Sequence, residues 1–389
     1  MSFCFDEAPS RRGSGSLKWD LPKKDGVIPL WVADMDFKAA PCVIEALRRR
    51  VDHGVFGYEL VPDEWRDAVI SWLREREGLE AGGEWLIPVP GAVPALSASL
   101  KAMTLPGDQV ITITPAYNCF FSSIRNTGCE LSPSPAKWSG ARWEADFADL
   151  RRRAQNPRAR VLLICNPHNP TGRLWTREEL RRMGDIALEH GLYVISDEIH
   201  CDIRPGGSAF TPFASLGEKY AHISVTLNAP SKAFNLAGCQ NAWMLIPDPK
   251  LRERCYRAVN INEVCDVNPF GVAAAIAACT QGGPWLDELN AYLRGNLEAA
   301  SKFIRERLPK ASFAIPEAGY LVWLDLRKYC KSSERLEQAI LGRGVMLSAG
   351  TEYGPEGEGF MRLNTACPRA LLMEGLERMA LGVGDAARA

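Results

Sequence analysis

The chain has 389 residues, a hydrophobic content of 46%, a charged content of 24% and a formal net charge of −1 at pH 7. These are the values of an ordinary globular protein and exclude a fibrous or disordered chain. Lysine and arginine together number 46 against 47 acidic residues, so nucleic acid is not an expected partner. The longest apolar run, 270–279, is far shorter than the roughly 20 residues of a membrane span. The N-terminus also lacks the pattern of a secretory signal, and we expect a cytoplasmic protein without a membrane partner.

The first 85 residues predict an irregular arm followed by two helices. Residues 1–30 are rich in glycine, serine, proline and charge, which is typical of irregular structure. Helices are expected over 41–53 and 63–77, because a proline opens the first helix and a glycine follows each of them. The apolar face of the first helix is expected to comprise Ile44, Leu47 and Val51.

Short apolar runs alternate with helical stretches between residues 85 and 247. A capping box of Thr176 and Glu179 begins the clearest of these helices. Nearly continuous apolar strands separated by helices indicate a mostly parallel sheet covered on both faces. The expected strands are Val110–Thr114, Val161–Cys165, Leu192–Ser196, Ile223–Leu227 and Trp243–Ile246.

The last third of the chain changes to long helices with two further strand-like runs, 320–326 and 360–364. This pattern predicts a smaller α/β domain that packs with the N-terminal arm. We therefore divide the chain into an arm with part of the small domain (1–45), a large domain (46–284) and a C-terminal small domain (285–389).

The cysteines and histidines argue against disulfides and against a metal site. The 12 cysteines lie singly along the chain without a CxxC spacing, and the five histidines form no ligand pair such as HExxH. Disulfide scaffolds are typically short and secreted, so reduced thiols are expected here. No metal is expected either.

Polar residues follow four successive predicted strands. Ligands of open parallel sheets bind at the carboxyl ends of the strands, so these residues mark the place of a site. The clusters contain Tyr117, then Asn169, then Asp197 with His200, and then Ser231 with Lys232.

This set of residues fits the cofactor pyridoxal 5′-phosphate (PLP). PLP requires a lysine amine for its Schiff base, a carboxylate for its ring nitrogen and a site for its phosphate. Lys232 and Asp197 can supply the first two. The amides of Ala92 and Val93, at a helix start after Gly91, can supply the third. Taken singly, each feature has a plainer interpretation: a solvent-facing lysine, an aspartate that caps a helix, or a helix start without a ligand.

The chain resembles the fold-type I PLP-dependent enzymes of the aspartate aminotransferase superfamily, and more narrowly the branch of MalY/PatB-type cystathionine β-lyases. The resemblance implies an α/β fold, with a mostly parallel seven-stranded sheet in a large domain plus a smaller α/β domain. Gln240 stands where many aminotransferases have a basic phosphate ligand, which favours the lyase branch. The strings that carry the resemblance are SLKWD (16–20), LWVADMDF (30–37), HGVFGYE (53–59), PGAVPAL (90–96), CNPHNPTGRLWTREEL (165–180), SDEIHCD (196–202), APSKAFNLAG (229–238) and GFMRLNTACPR (359–369).

The resemblance also implies a role for each site residue. Lys232 would form the Schiff base and act as general acid and base, and Asp197 would pair with the ring nitrogen. Arg362 would bind the substrate carboxylate as a bidentate fork. The remaining cofactor ligands would be Asn169 and His200 at the phenolate oxygen, Tyr117 stacked on the ring, and Ala92, Val93, Ser231 and Tyr58 of the partner subunit at the phosphate. The active unit would then be a homodimer with shared sites.

The implied activity is β-elimination of L-cystathionine or a cysteine S-conjugate to a thiol, pyruvate and ammonia. Transamination shares every step up to the substrate carbanion, and no residue of the sequence decides between the two reactions. The retained catalytic residues disfavour a PLP-binding regulatory protein, and no GxGxxG follows a strand as a nicotinamide enzyme would require. Substrate selectivity is expected to depend on 31–37, on 117–121 and on the surroundings of Glu352 and Tyr353.

Overall fold

A seven-stranded sheet forms the centre of the molecule. The structure is a computed structural model that describes residues 3–23, 25–139 and 142–388. Its strands in chain order are β1 (Ile28–Pro29), β2 (Leu86–Val89), β3 (Gln109–Thr114), β4 (Glu130–Pro135), β5 (Lys137–Trp138), β6 (Trp143–Glu144), β7 (Ala159–Cys165), β8 (Tyr193–Asp197), β9 (Ser224–Asn228), β10 (Ala242–Leu245), β11 (Leu321–Asp325), β12 (Val345–Met346), β13 (Ser348–Ala349) and β14 (Phe360–Asn364).

The central sheet has the strand order β2-β10-β9-β8-β7-β3-β4. Only β10 runs antiparallel to its neighbours, so the expected mostly parallel sheet of seven strands is confirmed. The five strands expected between residues 85 and 247 agree with β3, β7, β8, β9 and β10 to within two residues at each end. Their apolar runs identify them because these strands lie inside the sheet and are buried on both faces.

The sequence did not indicate the two strands at the edges of this sheet. β2 contains Pro88, and β4 contains Pro133 and Pro135. Proline has no N–H to donate to a neighbouring strand, so its presence argues against a strand except at an edge. Both strands occupy edges, where one side of the backbone needs no partner.

Helices cover both faces of the sheet. Alternate residues of β7 point to opposite sides. Leu163 packs in the core beneath α4 (Ala92–Met103) and α10 (Pro249–Ile261), and Ile164 packs in the core beneath α6 (Phe147–Ala154) and α7 (Arg177–Glu189). The helices are α1 (Leu17–Asp20), α2 (Pro41–His53), α3 (Asp63–Trp72), α4 (Ala92–Met103), α5 (Asn118–Asn126), α6 (Phe147–Ala154), α7 (Arg177–Glu189), α8 (Glu218–Ala221), α9 (Pro230–Ala233), α10 (Pro249–Ile261), α11 (Pro269–Gln281), α12 (Gly283–Arg307), α13 (Ser333–Gly342) and α14 (Arg369–Arg388).

The first two expected helices are present, with one error in the buried face. α2 ends at Gly54, whose φ of 75° is readily adopted by glycine, and the second helix continues past α3 as a wide turn over Leu73–Glu77. The face of α2 that is buried contains Val43 and Ala46, whereas Val51 is 55% exposed. The small Ala46 lets α2 lie against the alanine-rich α11. Leu47 of the expected face packs against the same core, so the buried face is turned from the expected one but overlaps it.

The C-terminal third forms a second, three-stranded sheet with the order β11-β14-β13. The expected strands 320–326 and 360–364 correspond to β11 and β14. β1 pairs in parallel with β12, so the N-terminal arm contacts this part of the chain. The two boundaries between the three expected segments stay a prediction.

Two further observations concern the whole fold. All 12 cysteines are free thiols. Within the described ranges, no helix is both long and apolar enough to cross a bilayer.

Candidate active site

The carboxyl ends of β3, β7, β8 and β9 border a cavity of about 450 Å³. That volume lies in the range typical of small-molecule sites. Tyr58 is fully exposed (100%) in the single chain and does not line the cavity. The other expected site residues line it together: Ala92, Val93, Tyr117, Asn169, Asp197, His200, Ser231, Lys232 and Arg362.

Lys232 is held at the cavity wall by the short helix α9, which begins directly after β9. Its Nζ donates a hydrogen bond of 2.7 Å to the carbonyl oxygen of Ala33. Burial and the positive charge of Arg362 lower the pKa of Lys232 to about 8, against the opposing charges of Asp34 and Asp197. An appreciable fraction of this amine is therefore neutral near pH 7, as a general base requires.

Asp197 is the last residue of β8 and is buried, with 6% of its surface exposed. Its Oδ1 accepts a hydrogen bond of 3.2 Å from the amide of Ile199. Burial raises the pKa of Asp197 to about 6, although the Ile199 amide and the charge of Lys232 oppose the rise. The carboxylate stays mostly ionised at neutral pH and can hold a proton on a ring nitrogen.

The guanidinium of Arg362 is buried in a fixed orientation. Nη1 donates to Oδ1 of Asn169 at 3.1 Å, and Nη2 donates to the carbonyl oxygen of Trp31 at 2.9 Å. The ring of Tyr353 lies 4.8 Å from the guanidinium carbon. Among the described residues the buried Nε has no hydrogen-bond partner. The group is thus a rigid fork with donors to spare for a carboxylate.

The first turn of α4 forms one end of the cavity. Gly91 precedes this helix with an extended backbone, and none of the side chains that the structure describes caps the helix. The amides of Ala92 and Val93 therefore belong to a helix N-terminus that faces the cavity and can bind an anion. Ser231 adds a hydroxyl to the lining.

Besides Nε of Arg362, two further buried polar atoms of the lining lack a partner among the described residues. These are Nδ1 of His200 and Nδ2 of Asn241. Trp65 donates to Oδ1 of Asn241 at 3.3 Å, which leaves the amide nitrogen free. Burial, together with the charges of Lys232 and Arg362, lowers the pKa of His200 to about 3, so its ring is neutral. Unpaired buried polar atoms are costly, and both atoms can bond a polar ligand.

The wall formed by residues 31–37 was expected to affect selectivity, but its supports were not predicted. Lys18, which has no exposed surface, donates to Oδ2 of Asp36 at 2.9 Å, and Arg11 binds Asp34 at 2.8 Å. The amide of Asn235 donates to the carbonyl oxygens at the far end of the wall. The strings SLKWD and WVADMDF contain most of these residues, yet their pairing is visible only in three dimensions.

A buried acidic cluster lies behind the site. Potential metal ligands of Glu77, Cys201 and Asp202 lie within 4.8 Å of one another, although no metal site was expected. Hydrogen bonds engage them, since the Cys201 thiol donates to Glu77 at 3.2 Å and the indole of Trp72 donates to Asp202 at 3.1 Å. Burial raises the pKa of both carboxyl groups, which favours their protonated forms. The expected absence of a metal stays a prediction.

Residues 25–379 match the family described as aminotransferase class I and II. The chain belongs to this family. Among its curated relatives, cystathionine beta-lyase PatB of Bacillus subtilis (strain 168) is 43% identical over 380 residues, which cover 96% of this chain and 98% of the relative. Protein MalY of Escherichia coli (strain K12) is 32% identical over 381 residues, which cover 96% and 97%.

The structural comparison agrees with this family membership. The PLP-bound C-S lyase from Staphylococcus hominis superposes with a TM-score of 0.92 at 32% sequence identity. The match covers 98% of this chain and 99% of the lyase chain. The family match and this likeness confirm the expected fold-type I architecture and the resemblance to the MalY/PatB branch.

Proposed function

We propose that this family member is a PLP-dependent carbon–sulfur β-lyase. It would cleave L-cystathionine or a cysteine S-conjugate, with uptake of one water, into a thiol, pyruvate and ammonia. The observation that carries the proposal is the cavity that gathers Lys232, Asp197 and Arg362 at one edge of the sheet. Its relatives support the proposal, since they include a cystathionine beta-lyase and a PLP-bound C-S lyase.

The lining residues fit PLP. Asp197 would hold the ring nitrogen, the amides at the start of α4 with Ser231 would hold the phosphate, and Asn169 and His200 would hold the phenolate oxygen, with Tyr117 stacked on the ring. The unpartnered Nδ2 of Asn241 adds one more donor for the bound group. When bound, the cofactor supplies an electron sink for the negative charge that develops at the substrate α-carbon.

The chain's own residues then orient the substrate and move its proton. Arg362 binds the α-carboxylate, and its contacts with Asn169 and Trp31 keep the fork in one plane. Lys232 removes the proton from the α-carbon, since its lowered pKa leaves a neutral amine available. Loss of the β-substituent follows, and the C–S electron pair departs with the thiolate sulfur.

The assembly and location that we propose are a homodimer in the cytoplasm. Tyr58 lies on an exposed loop with Phe56 and Leu60, which are 56% and 89% exposed in the single chain. Exposed apolar groups of this size are typical of an interface. Tyr58 of the partner subunit would then reach the phosphate end of the cavity. The free thiols are compatible with a reducing compartment.

The decisive experiment measures β-elimination without any keto-acid acceptor. Purified protein loaded with PLP is mixed with L-cystathionine or an S-alkyl cysteine, and thiol, pyruvate and ammonia are quantified. We expect sustained, equimolar release of all three, and none from Lys232→Ala. A single turnover that stalls, then resumes when a keto acid is added, would instead identify an aminotransferase.

A further inference from the structure

Within the described part of the chain, four charged side chains line the cavity, and the proposed reaction uses three of them. Lys232, Asp197 and Arg362 each have a role, whereas Glu352 has none. No cationic side chain of the described residues forms an ion pair with the Glu352 carboxylate. Burial raises the pKa of this group, while the charge of Arg362 and the backbone amide of Ala349 oppose the rise. A carboxylate without a cationic partner among the described residues therefore borders the space that the substrate enters.

The turn that carries Glu352 is fixed on both sides. Gly350 lies so close to the next turn that a Cβ there would be 2.1 Å from the carbonyl oxygen of Gly357. The amide of Ala116 donates to the carbonyl oxygen of Tyr353 at 2.8 Å. The backbone that carries Glu352 is therefore anchored before a ligand arrives, which lowers the cost of recognition.

The position of Glu352 indicates which part of the substrate it meets. Its neighbour Tyr353 packs against the guanidinium of Arg362, which takes the α-carboxylate in the proposed function. In the proposed function the α-amino end would face Lys232. The substituent on sulfur is the part of the substrate that remains to face Glu352, which is itself exposed at the cavity border.

We propose that Glu352 selects cysteine S-conjugates whose leaving thiol carries a cationic or N–H-donating group. This inference rests on the proposed function, since it assigns the side of the cavity that faces the sulfur substituent. A carboxylate attracts an ammonium or a protonated heterocycle and repels an anionic substituent, so the discrimination has both an attractive and a repulsive element.

The test compares substrates that differ only in charge. S-(2-aminoethyl)-L-cysteine is matched with S-propyl-L-cysteine, and S-(3-aminopropyl)-L-cysteine with S-butyl-L-cysteine, so that two lengths are sampled. Pyruvate release gives kcat/KM, and a parallel titration of the cofactor absorbance gives equilibrium affinity without requiring turnover. The variants are Glu352→Gln and the matched control Glu337→Gln, which removes a nearby charge on α13 outside the cavity.

We expect Glu352→Gln to lower both kcat/KM and affinity for the amino substrates about fivefold, mainly through a higher KM. An effect of this size is typical of the loss of a partly exposed ion pair. The alkyl substrates and the Glu337→Gln control should change little. Equal effects on amino and alkyl substrates, or an equal effect of both variants, would overturn the inference. If no substrate gave pyruvate, the proposed lyase function would be refuted. Binding that still depended on both the substrate charge and Glu352 would nevertheless support the proposed role of Glu352 in selectivity.

Discussion

Arg362 illustrates how one side chain depends on acceptors that lie far away in the sequence. Its two Nη atoms bond to Asn169 and Trp31, which are 193 and 331 residues away. A lysine at this position would retain the charge but could not make both bonds in one plane. The orientation of the group, as well as its charge, is therefore part of the site.

Arg362→Lys is accordingly expected to raise KM for amino-acid substrates about 10- to 100-fold, the equivalent of one lost charge-assisted hydrogen bond. Steady-state pyruvate release measures the change. The neighbouring Arg369→Lys, whose Nε donates to Asn296 at 2.6 Å outside the cavity, serves as the control. Unchanged KM in Arg362→Lys would remove this residue from carboxylate binding.

Glu198 is a second residue whose surroundings determine its protonation. Oε1 accepts hydrogen bonds from Ser196 at 2.7 Å and from the amide of Phe213 at 2.8 Å, while the buried Oε2 has no partner among the described residues. Burial raises the pKa of Glu198 from 4.5 to about 8. The folded state then binds the proton more tightly than the unfolded state. The contribution of Glu198 to the free energy of unfolding therefore decreases as the pH rises from 4.5 to about 8.

The variant Glu198→Gln tests that linkage. The difference in unfolding free energy, variant minus unsubstituted protein, should increase with pH by up to about 1.4 kcal/mol per pH unit. The increase should occur between the pKa of Glu198 in the unfolded state and its pKa in the folded state, and the difference should then stay constant. Urea unfolding at pH 5, 7 and 9 measures the difference between the two proteins. The same difference at all three pH values would mean that Glu198 does not titrate in this window.

The N-terminal arm shows how one element supports another at the scale of the fold. Lys18 and Asp36 form a buried pair, and the indole of Trp19 donates to Asp36 at 2.7 Å. These contacts hold the 31–37 wall, whose carbonyl oxygens accept from Lys232 and Arg362. The arm thus supports two side chains of the candidate site, although Lys18 and Trp19 do not line the cavity.

Loss of the buried cation should therefore affect both stability and activity. Lys18→Met removes the buried ammonium group that pairs with the Asp36 carboxylate. The substitution is expected to lower the unfolding free energy by about 3 kcal/mol. A fall in kcat/KM should accompany it as the wall loosens. Lys23→Met, at an exposed position of the same arm, should leave both quantities unchanged. Denaturant unfolding measures the stability, and pyruvate release measures the activity. Unchanged values of both in Lys18→Met would contradict this role.

At the scale of the whole molecule, the proposed homodimer places residues of both subunits in each site. Tyr58 is fully exposed in the single chain, and in the proposed homodimer it would complete the partner's site. Mixing two inactive homodimers, Lys232→Ala and Tyr58→Ala, would give hybrids with one intact and one doubly defective site.

We expect the mixture, after subunit exchange, to recover about a quarter of the native activity, because half of the dimers are hybrids with one working site. The pyruvate assay follows the recovery over time, and each homodimer incubated alone is the control. No recovery, despite hybrid dimers detected by an affinity tag on one subunit, would show that the two sites are not shared.

Much of the site could be predicted from the sequence because a parallel sheet brings its carboxyl ends to one edge. Apolar runs located β3, β7, β8 and β9, and the polar residues after them were expected to meet. The sequence pattern also identified the capping box of α7, which the structure contains. Local patterns of this kind depend on neighbours along the chain.

Other features were decided by contacts between distant segments. The edge strands β2 and β4 contain prolines, and the buried face of α2 was set by the packing of α11. The free amide of Asn241, the fixed turn of Glu352 and the arm beneath residues 31–37 carry no local signature either. Chemical identity and spacing therefore determined which groups meet at the site. Their hydrogen-bond partners, orientation and protonation required the tertiary structure, because burial and electrostatic neighbours come from residues far apart in the chain.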